Sequence, residues 1–363
     1  MAAEGKRSGA ERDVLALEDE VAKAIADEVR IKLTPSERAG LTGGRPVNPE
    51  AYEAYLKGRY YGSQRTAEGE QKGLEYFQQA ITLDPNYAVA YAGVADSYVV
   101  LGAHGHLPVK EAFPKARAAA MRALELDETL AEAHTSLGTV RTFYDWDWPG
   151  SEREFRRALE LNPNYPTGHH WFSHYLAAVG RLDDAVAEIK RARELDPFGV
   201  TVNFWLGDTL YYSHRYEEAI KQYRTTLELY PKRADLYGKI GDCYAQEGAY
   251  PEAVAEWQQS PALSGDAYLA ARLERAYKRS GYRGYLLARL DQMKASAQTE
   301  AVSPLDFAYT YALLGDKEHT LEWLEKAYEV RDPWLYVKAD PRLDNLRTDA
   351  RFQSLIRRMG LPP

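Results

Sequence analysis

The sequence predicts an all-α solenoid, a row of helix pairs stacked side by side, and three observations carry this. A short motif recurs: Pro163 in "ELNP", Pro197 in "ELDP" and Pro231 in "ELYP" stand 34 residues apart, with Pro85 in "TLDP" and Glu128 in "ELDE" at the equivalent place upstream. Small side chains fall into register with it: Gly138, Gly207 and Gly241 at one place, Ala185, Ala219 and Ala253 at a second, Ala80, Ala123, Ala158 and Ala192 at a third. Large residues flank them at helical spacing, among them Leu206, Tyr223, Tyr237, Ile240, Tyr244 and Trp257. Small side chains let two helices approach closely, and large ones fill the holes opposite. Proline cannot continue the second helix and opens the turn into the next pair. One pair cannot bury its apolar face alone, whereas stacked pairs bury a continuous core.

Along the chain, residues 1–12 read as a disordered start. "DVLALEDEVAKAIADEVRIKL" reads as one amphipathic helix over 13–33, with Val14, Leu17, Val21, Ala24, Ile25 and Val29 along a single stripe. Proline and paired glycines in "TPSERAGLTGGRPVNPE" break it and make 34–50 a linker. The array follows over 51–334, in units near 54–87, 88–130, 131–165, 166–199, 200–233 and 234–265, then a degenerate seventh near 267–297 and an eighth near 302–334. The second unit carries an insertion around "AHGHLPVKE" (103–111), and the third an extra residue in "YDWDWPGSE", which makes 143–149 an irregular aromatic and acidic turn. Both are candidate functional loops. Residues 335–363 are expected to cap the last apolar face with Leu343, Leu346, Phe352, Leu355 and Ile356.

Composition excludes several classes. The 46 basic and 54 acidic residues give a net charge of −8, mixed along the whole length, unlike the clustered basic surface that nucleic acid demands. No apolar run reaches membrane-spanning length, and the first residues lack the apolar stretch of a signal peptide. The single cysteine, Cys243, rules out an internal disulfide framework and fits a reducing, cytoplasmic compartment.

The recurring residues resemble the tetratricopeptide repeat, whose loose W-x2-L-G-x2-Y…A-x3-F…A…P pattern has its best copy in "YGKIGDCYAQEGAYPEAVAEW" from Tyr237. The resemblance covers about 280 residues. It implies a right-handed α-solenoid whose concave groove is lined by the fifth and ninth positions of each unit. The 13–33 helix and linker look like the end of a TolB-like domain, which in many bacterial signalling proteins precedes such repeats. There the repeats are fused to winged-helix regulators, nucleotide cyclases or kinases. This chain has no glycine-rich nucleotide loop, kinase signature or cyclase carboxylate pair.

The repeat frame assigns the groove to Asp96, Thr135, Thr139, Phe143, His170, His174, Phe204, Asp208, Tyr211, Tyr212, Asp242 and Gln246. Aromatic, imidazole and carboxylate groups together suit a basic or amphipathic peptide. Phe204, Tyr211 and Tyr212 are the expected anchors, and Asp96, Asp208 and Asp242 the expected source of charge selection. "YPTGHHWFSH" (165–174) invites a metal reading, because His170 and His174 are one helical turn apart and Asp208 could add a third ligand. No fourth ligand is evident, and Trp171 stands where a zinc-protease helix needs Glu, so groove lining is the better account and no metal or cofactor is expected. His169 falls instead at the contact between neighbouring units. Asp145 and Asp147, flanked by Trp146 and Trp148, read as a packed turn rather than a catalytic pair, and Cys243 as a small buried filler.

A chaperone-tail receptor is disfavoured, because no unit offers the lysine and asparagine such members use at the groove positions. The expectation is a non-enzymatic scaffold for a protein or peptide, the arm of a bacterial signalling or regulatory protein. The alternative is a small-molecule-sensing domain relaying to a fused output domain. No nucleophile, base and oxyanion set assembles at plausible spacing for a hydrolase.

Overall fold

The computed structural model describes residues 48–263, 265–299 and 302–362. Every regular element among them is helical, and the fold is all-α. The expected 13–33 helix, the disordered start and the linker as far as residue 47 lie outside the described residues. The chain divides into two compact units, up to Val140 and from Arg141 onward.

The first unit holds α1 (Pro49–Gly62), α2 (Ala67–Leu83), α3 (Ala88–Ala103), α4 (Val109–Leu126) and α5 (Ala131–Val140). Helix α1 starts inside the expected linker, because the Asn48 side chain accepts from the Glu50 amide and Pro49 at the first helical position needs no partner. Consecutive helices pack antiparallel, α1 on α2 and α3 on α4, and Leu74, Phe77, Leu101 and Ala120 form the core between them. The lengthened turn of the second pair is Glu-free loop 104–108, closed by His106 and Leu107 amides donating to the Leu101 carbonyl at 2.9 and 3.0 Å.

The second unit opens with a π-helical turn, Arg141–Asp145, followed by α6 (Trp148–Leu161). Three further pairs are α7 (Pro166–Ala178) with α8 (Leu182–Leu195), α9 (Val200–Tyr212) with α10 (Tyr216–Leu229), and α11 (Asp235–Gln246) with α12 (Tyr250–Trp257). A short α13 (Gln259–Leu263) leads into α14 (Ala267–Ser296), which is broken at Ser280 and Gly281, so the degenerate seventh stretch is two helical arms about a kink. The last pair is α15 (Pro304–Leu313) with α16 (Lys317–Val330), then a 3-10 turn, Pro341–Leu346, and α17 (Ala350–Arg358). First helices of successive pairs touch one another, α7 with α9 and α9 with α11, and so form an inner wall.

The residues in register do what their sizes dictate. Ala80, Ala123, Ala158, Ala185, Ala192, Ala219 and Ala253 are all fully buried. A β-carbon on Gly207 would lie 2.2 Å from the Tyr223 ring, so that approach is open to glycine alone. Between pairs, Asp84, Asp127 and Asn162 accept from the amide two residues on, at 3.1, 2.9 and 3.2 Å, and so turn the chain. Each such turn is locked from the following helix. The side chains of Tyr91, His134, His169 and Asn203 bond the carbonyls of Pro85, Glu128, Pro163 and Pro197 at 3.2, 3.1, 2.9 and 2.9 Å. The lock follows the chain's own spacing, six residues back in every case.

Candidate functional site: an occupied inner wall

In the first unit the groove candidates are Asp96, Thr135 and Thr139. Asp96 lies on α3, half-buried, and accepts from Arg65 at 2.9 Å; Arg65 also reaches the fully buried Glu70 at 3.3 Å. Burial pushes the Glu70 carboxyl up to about 8, with Asp96 adding to the rise and Arg65 opposing it. Thr135 and Thr139 are buried at 2% and 0% exposure, and Thr139 returns its hydroxyl to the Thr135 carbonyl at 2.9 Å. Neither threonine is available to a ligand, which corrects the expectation for this pair.

In the second unit the inner wall is covered. Residues Asp332–Asp340 leave α16 without helical structure and cross the wall, and the 3-10 turn follows. Tyr336, 1% exposed, puts its hydroxyl 2.7 Å from Nδ1 of His174 on α7. Its ring meets Phe143, Trp205 and Tyr212 at centroid distances of 6.4, 5.4 and 5.4 Å. Burial drives the Tyr336 phenol well above its ordinary value, so it is a neutral donor and acceptor. His174 stacks on Trp205 at 3.6 Å, and its Nε2 faces Nε2 of His170 at 3.2 Å. Two ring nitrogens at that separation share one hydrogen, one donating and the other accepting. Phe143 stands edge-on to His174 and Trp171.

Arg342 completes the cover. It donates to both oxygens of Asp340, at 2.9 and 2.6 Å, and to Asp242 on α11 at 3.3 Å. Its guanidinium lies 3.6 Å above the Tyr309 ring on α15 and 5.8 Å from the Tyr211 ring on α9. Burial works against its charge, but Asp340, Tyr211 and Asp242 outweigh that and hold the group protonated. Arg347 ties the same segment from behind, donating to the Val337 carbonyl at 2.8 Å. Beyond it, Arg351 and Arg358 of α17 pair with Glu318 and Glu325 of α16, and the Trp148 indole donates to the Met359 carbonyl at 2.8 Å. Leu343, Leu346, Phe352 and Leu355 are buried, and Ile356 partly so.

The expected anchors divide accordingly. Tyr211 and Tyr212 are 5% and 6% exposed, and His170 and His174 9% and 3%, beneath or beside the crossing segment rather than lining open space. Phe204 and Gln246 remain half-exposed. Phe204 is flanked by Arg233 and Lys239 at 5.2 and 5.3 Å from its ring, a cationic setting rather than an acidic one.

Charge selection by the aspartates is corrected outright. All three have an internal cation: Asp96 has Arg65, Asp208 has Lys239 at 2.9 Å, and Asp242 has Arg342. Asp208 also accepts from the Tyr223 hydroxyl at 2.5 Å, so both its oxygens are engaged away from His170 and His174. A carboxylate already neutralised in this way offers a basic ligand little. Among the described residues no group of three or more His, Cys, Asp or Glu side chains is placed to hold a metal ion. No helix of the described residues is long and apolar enough to cross a membrane.

The other candidates are structural. His169 bonds Glu188 at 2.5 Å as well as Pro163, a pair of acceptors that favours the imidazole carrying both hydrogens and raises its proton affinity against the burial that opposes it. Asp147 caps α6 through the Gly150 amide at 3.0 Å, and Asp145 is exposed. Cys243 is fully buried, and burial pushes its thiol up. Trp334, Tyr336, Asp340 and Arg342, with Lys239 in the same unit and Arg65 in the first unit, were not picked out from the sequence. The first four lie in a tail without repeat phasing; their one signal is the aromatic "PWLY" bracketed by Pro333 and Pro341, which reads as non-helical chain.

Several known proteins resemble parts of this chain. A tetratricopeptide repeat model matches residues 172–211 and 206–267. The transcriptional regulator HilA of Salmonella typhimurium is 28% identical over 135 residues, 37% of this chain and 24% of that protein. The chain therefore spans about a quarter or less of the length of the curated relatives it matches. Among solved structures, the human IFIT1 dimer with PPP-AAAA has a TM-score of 0.50 at 14% identity, covering 78% of this chain and 72% of that one. YrrB, a TPR protein with an unusual peptide-binding site, has a TM-score of 0.38 at 22% identity, covering 55% and 97%. This chain carries tetratricopeptide repeats within an all-α fold.

Proposed function

We propose that the protein is a non-enzymatic scaffold that binds a protein or peptide partner on its inner wall, as the interaction arm of a bacterial signalling or transcription-regulatory protein. The observation that supports it most is the inner wall of the second unit, where aromatic rings, His174 and Asp242 already hold a segment of the chain's own tail through Tyr336 and Arg342. Tyrosine, tryptophan and arginine are the residue types that concentrate binding energy. The resemblance to HilA over 135 residues favours a regulatory setting. A TolB-like segment ahead of the repeats would fit the same setting.

Site-specific photo-crosslinking tests the reading. A crosslinker at Phe204 or Gln246 on the inner wall should trap one partner in cells, and a crosslinker at Met121 or Leu229, exposed at 50% and 41%, should not trap it. A partner trapped only from Met121 or Leu229, or none from any position, would overturn it.

A further inference from the structure

The segment that crosses the second unit's inner wall has the features of a bound ligand. It has no helical structure from Asp332 to Asp340, and its grip on the wall is made by side chains, Tyr336 on His174 and Arg342 on Asp242. Its aromatic contacts fall on three separate elements: Phe143 in the π turn, Trp205 and Tyr212 on α9, and Tyr309 under Arg342 on α15. The fit has one defect. The Tyr211 hydroxyl, on a residue 5% exposed whose ring centroid lies 5.8 Å from the Arg342 guanidinium, is buried with no hydrogen-bond partner. A buried hydroxyl left unmatched is costly, and an occupant that supplied a partner there would fit the wall better than the resident one does.

We propose that Trp334–Arg342 is a resident pseudo-ligand, and that the wall built by α7, α9, α11 and α15 takes in its place a partner's non-helical peptide carrying a tyrosine six residues ahead of an arginine, the spacing of Tyr336 and Arg342. This rests on the scaffold reading and gives it a ligand chemistry. The tyrosine enters the box of His174, Trp205, Tyr212 and Phe143, and the arginine lies between Asp242 and Tyr309. A group beside the arginine that bonds the Tyr211 hydroxyl gives the incoming peptide its advantage. It needs one, because the resident segment is tethered and competes at the high effective concentration that a covalent link confers.

The test uses the full chain and a fluorescent synthetic peptide of residues 331–347, read by anisotropy. The chain carrying Trp334→Ala, Tyr336→Ala and Arg342→Ala should keep its helical circular dichroism and bind the peptide at least tenfold more tightly than the unaltered chain does. The same peptide with those three residues changed to alanine should not bind. Where the triple variant loses helicity, the milder pair Tyr336→Phe with Arg342→Lys decides by the same comparison, with a threefold gain expected. Equal peptide affinity for the variant and the unaltered chain, with helicity retained, overturns the pseudo-ligand. That result leaves the scaffold reading standing, since crosslinking from Phe204 does not depend on the peptide.

Discussion

His169 shows how a single side chain is set by what surrounds it. Burial opposes its charge, but the Glu188 carboxylate and the Pro163 carbonyl outweigh burial and raise its affinity for a proton. A histidine held above its unfolded value, about 6.5, stabilises the fold fully below that pH and loses the contribution as pH rises through the folded value. His169→Gln should keep the bond to Pro163, as Asn203 does in the next pair, and lose the charged bond to Glu188. Urea unfolding should find it about 1–2 kcal/mol less stable than the parent at pH 6 and nearly equal at pH 9. Equal deficits at both pH values would contradict the ionised pair.

Glu70 runs the other way. Its carboxyl is pushed up to about 8 by burial, so the folded chain holds that proton more tightly than the unfolded chain, whose glutamate titrates near 4.5. Stability is therefore lost as pH rises from the lower value through the upper one. Glu70→Gln should melt close to the parent at pH 5 and several degrees higher at pH 9. A variant that melts lower than the parent at pH 9 would mean that the charged Arg65–Glu70 pair is worth more than its burial costs.

At the scale of the element, packing against the inner wall decides what sequence reading can reach. The helix pairs were legible because their signals are local and repeated: alanines and glycines in register, large residues at helical spacing, proline after the second helix. The same register explains why His169, Tyr91, His134 and Asn203 share one role despite their different chemistry. The repeat frame assigns positions to the groove, but it carries no information on their environment. Asp96, Asp208 and Asp242 face Arg65, Lys239 and Arg342, at separations of 31, 31 and 100 residues, and no local pattern reports such pairs. Close approach can be tested directly. Gly207→Ala would set a β-carbon 2.2 Å from Tyr223, a fully buried ring whose hydroxyl is fixed on Asp208. The helices must separate or the ring must move, so the urea midpoint should fall by the equivalent of about 1–3 kcal/mol. A neutral result would mean that α9 and α10 are not held at the distance described.

For the whole molecule, the two compact units differ in what lies on their inner helices. In the unit that ends at Val140, α1 to α5 carry buried threonines and one acidic pair sharing Arg65. In the unit from Arg141 onward, the chain's own tail covers the wall, fastened at Tyr336 and Arg342 and tied behind by Arg347 and α17. The tail was expected as a cap, and Leu343, Leu346, Phe352 and Leu355 are buried; its passage across the inner wall was not legible, because it follows from contacts such as Tyr336 with His174, 162 residues apart. Hydrogen exchange read by mass spectrometry measures that passage most directly. Amides of 332–346 should exchange slowly, together with those of α7 and α9, and in the chain carrying Trp334→Ala, Tyr336→Ala and Arg342→Ala protection of 332–346 should fall at least tenfold. Exchange of 332–346 at the rate of free chain in the unaltered protein, with α7 and α9 still protected, would contradict an occupied wall.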